Sequence, residues 1–215
     1  MKTILFQGDS ITASQRIYED PDNLGSGYAM IVSSHLGYEH PGEYKFINRG
    51  ISGNKSLDVA GRITRDITDL APDYMSLLIG VNDVWHGIDY PSWGKATCED
   101  LERSLSQIIE ETMAECPGVK IMLLEPYVLE ADATMSTDAM PNKWEQFKSG
   151  VDERRDVTKK IADKYGLPLI PLQRLFDEAA AKYGVKPFTE DGVHPAPAGH
   201  ELIARAWLEE FEKIK

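Results

Sequence analysis

Three side chains in this sequence could together split an ester: a serine hydroxyl, a histidine imidazole and an aspartate carboxylate. Ser10 stands in Phe6-Gln7-Gly8-Asp9-Ser10-Ile11-Thr12, where a short apolar run stops at a glycine, an acid and a hydroxyl. A buried strand that delivers a reactive side chain to a sheet edge reads this way, although a helix-capping turn would read alike. A serine hydroxyl is a weak nucleophile unless a base removes its proton. His194 is the candidate base, on a turn at a helix entry between Val193 and Pro195. Asp191, three residues earlier, could accept the Nδ1 proton and hold the ring in the productive tautomer. Its other reading is a helix-proximal capping acid. Negative charge developing on a carbonyl oxygen needs donors, and Gly53, Asn82 and the Ser10 amide are the candidates. A glycine lets its N–H approach closely, and the Asn82 amide carries two donors.

Positioning these groups requires a sheet. Apolar runs predict strands over residues 3–6, 44–48, 74–79, 119–124 and 167–170. Between them, spacing and breakers predict helices near 27–36, 60–70, 93–115, 143–165 and 172–183, and a last helix follows Pro195. The helix near 60–70 shows its face through Ala60, Ile63, Ile67 and Leu70. Strands alternating with helices imply a parallel sheet covered on both faces. Ligands of such sheets bind beyond the carboxyl ends of the strands, at the switch in strand order. Ser10 follows strand one, Gly53 strand two, Asn82 strand three, and Asp191 with His194 strand five, so all share one edge. Two long polar connections, 13–25 and 125–141, exceed the usual length and suggest function. The first is expected to form part of the site wall, and the second to be a lid or an interface.

Lys plus Arg number 23 against 35 Asp plus Glu, a net charge of -12, which disfavours nucleic acid and anionic membranes as partners. With 42% hydrophobic and 27% charged residues, the 215-residue chain is expected to form a single domain spanning 1–215. No apolar run reaches membrane-span length, and the opening Met1–Phe6 is too short for a signal-peptide core, so a cytoplasmic location is expected. Cys98 and Cys116 lack metal-ligand spacing and are expected to be free thiols.

Taken together, the blocks resemble the SGNH or GDSL hydrolases. Gly8-Asp9-Ser10 matches the family's Gly-Asp-Ser, and Asn48 to Gly53 its Asn-x-Gly-x-x-Gly. Gly80 to Asp83 matches Gly-x-Asn-Asp, and Asp191 to Pro195 matches Asp-x-x-His-Pro, in the same order along nearly the whole chain. Ile11 replaces the usual leucine. The resemblance implies a flavodoxin-like three-layer α/β/α sandwich with a five-stranded parallel sheet. It assigns Ser10 as nucleophile, His194 as general base and then acid, and Asp191 as its orienter. Ser10 N–H, Gly53 N–H and Asn82 become the oxyanion hole. No cofactor or metal is implied, and a homo-oligomer is suggested by the resemblance alone. Ile51 to Asn54 and Gly80 to Trp85 look most like intracellular acetylesterases of acetylated sugars, in particular xylo-oligosaccharides.

Trp85, Tyr90, Trp93, Tyr127 and Trp144 lie near the same edge, and aromatic faces suit sugar rings; core packing is the alternative for each. The first four are the candidate substrate contacts. His86 is expected at the surface, and Asp9 is expected to brace the turn. The expected reaction is hydrolysis of a small-molecule ester, with acetyl the expected acyl group. Two other enzyme classes stay open: a thioesterase or lysophospholipase for longer acyl chains, and a metal-dependent phosphoesterase drawing on Asp9, Asp83, Asp191 and His194. A non-catalytic sugar-binding module is the remaining reading.

Overall fold

In the computed structural model, which describes residues 1–215, the apolar runs form five strands: β1 (Lys2–Gly8), β2 (Tyr44–Asn48), β3 (Tyr74–Leu78), β4 (Lys120–Leu124) and β5 (Leu169–Ile170). They make one sheet in the order β2-β1-β3-β4-β5, and every neighbouring pair is parallel. Strand order reverses between β1 and β3, the switch point of a flavodoxin-like sheet, so the crevice for a ligand opens between the ends of those two strands. Ser10 follows one and Asn82 the other.

Nine helices accompany the strands: α1 (Ser10–Ala13), α2 (Tyr28–Glu39), α3 (Ser56–Ala60), α4 (Ile63–Asp66), α5 (Val81–Asp89), α6 (Cys98–Glu115), α7 (Lys143–Tyr165), α8 (Leu172–Tyr183) and α9 (Pro197–Ile214). Successive strand side chains point to opposite faces, and the two faces build separate cores. Ile4, Phe6, Met122 and Leu124 pack beneath α2, α8 and α9 with Val32, Phe176 and Trp207. Leu5, Met75, Leu77 and Leu123 pack beneath α3, α4 and α6 with Val59, Ile63 and Leu105. The long α7 contributes Phe147 and Val151 to the first core and Ile161 to the second. Phe6 meets Tyr28 edge-on at 5.8 Å and Trp207 at 5.4 Å between ring centroids, so the strand that carries Ser10 is fixed by aromatic packing. Each such fully buried large side chain contributes about 1.5–3 kcal/mol.

Some expected elements differ. The stretch near 60–70 divides into α3, α4 and a 3-10 turn, Thr68–Leu70, interrupted at Gly61–Arg62 and at Ile67. Its apolar spacing survives because Val59, Ile63 and Ile67 still face the core. The break lies where Arg62 sends its guanidinium to the Arg49 and Gly8 carbonyls and to Asn54. The helix expected from Trp93 starts at Cys98. Gly94 (φ 73°) stops the 3-10 turn Pro91–Trp93, and Thr97 with Asp100 forms a reciprocal capping box that sets the new start. Asn82, Asp83, Trp85 and His86 lie on a helix, α5, that is not among the helices the spacing predicts. No helix is long and apolar enough to cross a membrane.

Candidate active site

The turn after β1 is set by steric limits. A Cβ at Gly8 would stand 2.3 Å from the Leu78 carbonyl oxygen, so only glycine lets β1 and β3 run this close at their ends. Asp9 then accepts the Ile11 N–H at 3.0 Å and caps α1, which leaves Ser10 as the first residue of a one-turn helix. The Ser10 N–H has no intrahelical acceptor at that position. Asn48 ties the neighbouring loop in place: its amide donates to the carbonyls of Thr12 (2.7 Å) and Leu24 (2.9 Å), while its oxygen accepts the Gly50 N–H (2.9 Å). Gly50 is required there, since a Cβ would lie 2.4 Å from the Ala13 nitrogen. This loop continues to Gly53, whose φ of 77° is left-handed and whose N–H donates to no group of the protein.

Asp83 supplies the strut between this loop and α5. Its two carboxylate oxygens accept the Ser56 N–H (2.8 Å) and the Ser56 hydroxyl (2.7 Å). Burial raises its pKa to about 6, against the opposing effect of those two bonds. Asn82, beside it, donates from Nδ2 to the Asn54 carbonyl at 3.1 Å and has a second amide proton to offer. The three expected oxyanion donors therefore border one space.

His194 reaches that space from the opposite side. Its Nε2 lies 2.9 Å from the Ser10 Oγ, and its Nδ1 lies 2.7 Å from the Asp191 Oδ2. An ionised carboxylate only accepts, so Nδ1 carries the proton and Nε2 is left to accept the serine proton. Asp191 Oδ1 accepts the N–H groups of Val193 and His194 at 2.9 and 2.8 Å. Burial works to raise the Asp191 pKa, but the bonds from the His194 ring and the two amides outweigh it and hold the carboxyl below its ordinary value. The bond to Asp191 raises the His194 pKa above its ordinary value, against burial.

The segment 125–141 holds this turn. Leu129 and Ala133 N–H groups donate to the Gly192 and Asp191 carbonyls at 2.9 and 2.8 Å, and the Tyr127 hydroxyl donates to the Val193 carbonyl at 2.9 Å. Gly192 (φ 106°) lies so close that a Cβ would stand 2.5 Å from the Thr134 hydroxyl. Tyr127 is thus not at the substrate cavity, contrary to the sequence expectation. It is fully buried, stacked on Phe176 at 3.8 Å, because a phenol with an apolar partner and a carbonyl acceptor satisfies both halves inside the core. Trp144 likewise packs against the core.

Ser10, Gly53, Asn82 and His194 open into a cavity of about 220 Å³. Its remaining walls are Ser52, Trp85, His86, Tyr90 and Trp93. The Trp85 ring tilts against the His194 ring at 5.6 Å, and its Nε1 donates to Asp89 at 2.8 Å. Tyr90 and Trp93 stack at 4.6 Å and leave exposed faces. His86 is buried, not at the surface as expected, and meets Trp93 edge-on at 5.1 Å. Burial, then the charge of Lys55, pushes its pKa down, so it is neutral near pH 7. Its Nδ1 has no partner in the protein. The available signal was spacing: once α5 is helical, Asn82, Trp85 and His86 at i, i+3 and i+4 share a face. Asp9 braces the turn, as expected; burial raises its pKa to about 7. No three of the histidine, cysteine and acidic side chains are grouped to hold a metal ion.

Comparison with known proteins agrees with this architecture. The GDSL-like Lipase/Acylhydrolase family matches residues 6–202. An acetylxylan esterase of Geobacillus stearothermophilus is 30% identical over 221 residues, covering 99% of this chain and 95% of the relative. A crystal structure of an acetylxylan esterase from that organism superposes with a TM-score of 0.83 at 30% identity, covering 97% of this chain and 93% of the other. LAE5, an alpha/beta hydrolase enzyme from the metagenome of Lake Arreo, Spain, gives 0.85 at 29% identity over 100% and 96% of the two chains. With the family match spanning most of its length and the solved relatives superposing over nearly the whole chain, this chain belongs to the GDSL-like lipase/acylhydrolases and is a carboxylic ester hydrolase of the SGNH fold.

Proposed function

We propose that the protein hydrolyses small acyl esters, acetyl esters of carbohydrates above all, with Ser10 as nucleophile, His194 as base and Asp191 as the orienter of His194. The hydrogen-bonded chain from Ser10 Oγ through His194 to Asp191, opening into a cavity walled by aromatic rings, carries this reading. Ser10 Oγ attacks the carbonyl carbon as Nε2 takes its proton, and imidazolium charge is balanced by Asp191. The oxyanion receives hydrogen bonds from Ser10 N–H, Gly53 N–H and the Asn82 amide. Collapse expels the alcohol with the proton from Nε2, and water repeats the sequence on the acyl-enzyme.

A space of about 220 Å³ is below the usual 300–1,000 Å³ of small-molecule sites, which favours a short acyl group over a long one. The exposed faces of Tyr90 and Trp93 suit the flat side of a sugar ring. The acetylxylan esterases among the similar proteins support acetylated xylo-oligosaccharides as the first substrates to try. The carboxylates that a phosphoesterase would devote to metal are engaged elsewhere: Asp83 by Ser56 and Asp191 by His194 and backbone amides.

The test is acetate release from acetylated xylo-oligosaccharides alongside p-nitrophenyl acetate, butyrate and octanoate. Acetate should be the best acyl group, activity should survive EDTA, and Ser10→Ala should abolish turnover in a folded protein. A rate that rises along the acyl series would return the reading to a thioesterase or lysophospholipase.

A further inference from the structure

A second concave surface adjoins the cavity, and its charge is opposite to that of the whole chain. It is a groove of about 620 Å³ lined by Arg16, Arg49 and Arg65 with Tyr18, on the far side of the Ile51-Ser52 stretch. Ser52 joins the two spaces: it lines the cavity, while its N–H donates to the Tyr18 hydroxyl at 3.1 Å and the hydroxyls of Ser52 and Tyr18 lie 3.3 Å apart. Arg62 lies immediately behind the groove. The acids here are Asp66 and the exposed Glu19. Asp66 is shared by three cations: it is bound by Arg65 at 2.6 Å and Arg62 at 3.0 Å and approached by Arg49 at 3.9 Å.

Arg16 has no such partner. It is 8% exposed, its Nε donates to the Gly50 carbonyl at 3.2 Å, and its guanidinium lies over the Tyr18 ring at 4.6 Å. No carboxylate lies within ion-pairing distance, and neither terminal nitrogen has a partner in the protein. A guanidinium partly withdrawn from water with no carboxylate beside it is left short of countercharge. Burial and then the charge of Arg49 push its pKa down. An oxyanion seated on the open fork would supply the countercharge that offsets both. Arginine forks bind carboxylate and phosphate through paired N–H groups.

We propose that this groove binds an anionic group carried on the alcohol half of the ester, so that Arg16 and Arg49 select substrates bearing a carboxylate or phosphate beyond the acetylated sugar. The assignment rests on the esterase reading of the neighbouring cavity. Across the -12 net charge of the chain, such a substrate would be repelled unless a local cationic surface received it.

The experiment compares kcat/KM for acetylated xylo-oligosaccharides with and without a uronic acid branch, an acetylated sugar phosphate, acetyl-CoA and p-nitrophenyl acetate. The wild-type protein should prefer one anionic class over its neutral counterpart by about tenfold, mainly through KM, and the preference should shrink in 0.5 M salt, a probe concentration chosen at roughly the level that screens exposed charges. Preference for the uronate or for a phosphate identifies the source of the anion. Arg49→Gln and Arg16→Gln should erase the preference while p-nitrophenyl acetate turnover stays at the wild-type level. Equal kcat/KM for anionic and neutral substrates, or a preference that survives both substitutions, overturns the proposal. Loss of all acetate release from the wild type would instead sink the esterase reading. Binding of a uronate-bearing xylo-oligosaccharide to Ser10→Ala protein by calorimetry, and its loss on adding Arg49→Gln, tests the groove independently of turnover.

Discussion

The two halves of the candidate site are held by different means. Ser10 stands one residue beyond a central strand, its turn fixed by Gly8 against Leu78 and by the Asp9 cap. His194 stands on a turn that belongs to no strand and is held by segment 125–141, which itself has no helix or strand. A sheet-borne position inherits its precision from the ladder and the core beneath it. A loop-borne position must be given its precision by specific side chains, here Tyr127, Thr134 and Asp191. Changes in the supports of the proposed nucleophile should therefore act through stability, and changes in the supports of the proposed base through catalysis in a protein that still folds.

Direct removal of reacting groups should have the largest effects. Ser10→Ala and His194→Ala are expected to reduce kcat by about 10⁴-fold or more, with little change in thermal unfolding. Asp191→Asn should approach the same loss, because the amide leaves the imidazole in the wrong tautomer. Asn82→Ala should lower kcat by about 100- to 1000-fold, as removal of one oxyanion donor does. Retention of most kcat in that variant would remove Asn82 from the oxyanion site.

The supports separate the halves. Asn48→Ala removes three hydrogen bonds around the Ser10 turn, two of them buried, and an unfolding free energy lower by about 1–3 kcal/mol is expected in denaturant titration, with kcat of the folded protein reduced less. Tyr127→Phe removes one bond, to the Val193 carbonyl, and should lower kcat several-fold at a smaller stability loss. If the two variants show the reverse pattern, the contrast between sheet-borne and loop-borne halves is wrong.

Titration sharpens the same contrast. On the base side only neutral His194 can accept a proton, and its pKa is raised by Asp191, so kcat/KM should rise with pH through a value above the ordinary histidine value. On the nucleophile side, burial raises the Asp9 pKa to about 7. The folded state then binds the Asp9 proton more tightly than the unfolded state, so stability is lost as pH rises between the ordinary carboxyl range and about 7. Asp9→Asn keeps an acceptor for the Ile11 N–H and should gain stability relative to the parent on going from pH 5 to pH 8, by about 2–3 kcal/mol. An identical pH dependence of unfolding for the two proteins would show that Asp9 ionises freely.

The sequence by itself determined the sheet and the identity of the candidate groups. Strands buried on both faces are written as short apolar runs, and Gly8-Asp9-Ser10 and Asn82-Asp83 each follow the end of such a run, while Asp191 to His194 is marked by its own spacing ahead of Pro195 and the last helix. These are local facts, since propensity, capping and steric limits act over a few residues. The tertiary structure alone decided how the rest is used. Tyr127 looks like a sugar contact in sequence and becomes a brace, because Phe176 and the Val193 carbonyl, both far along the chain, complete its environment. His86 looks like a surface residue and becomes a cavity wall, since only the helical turn of α5 puts it on the face of Asn82. Arg16 lies in no motif and Arg49 fills an unspecified position of the Asn48 to Gly53 block, and their shared groove exists only after the ends of β1 and β2 are brought together. Local chemistry is encoded by neighbours in sequence, whereas burial and charge environment are set by neighbours in space.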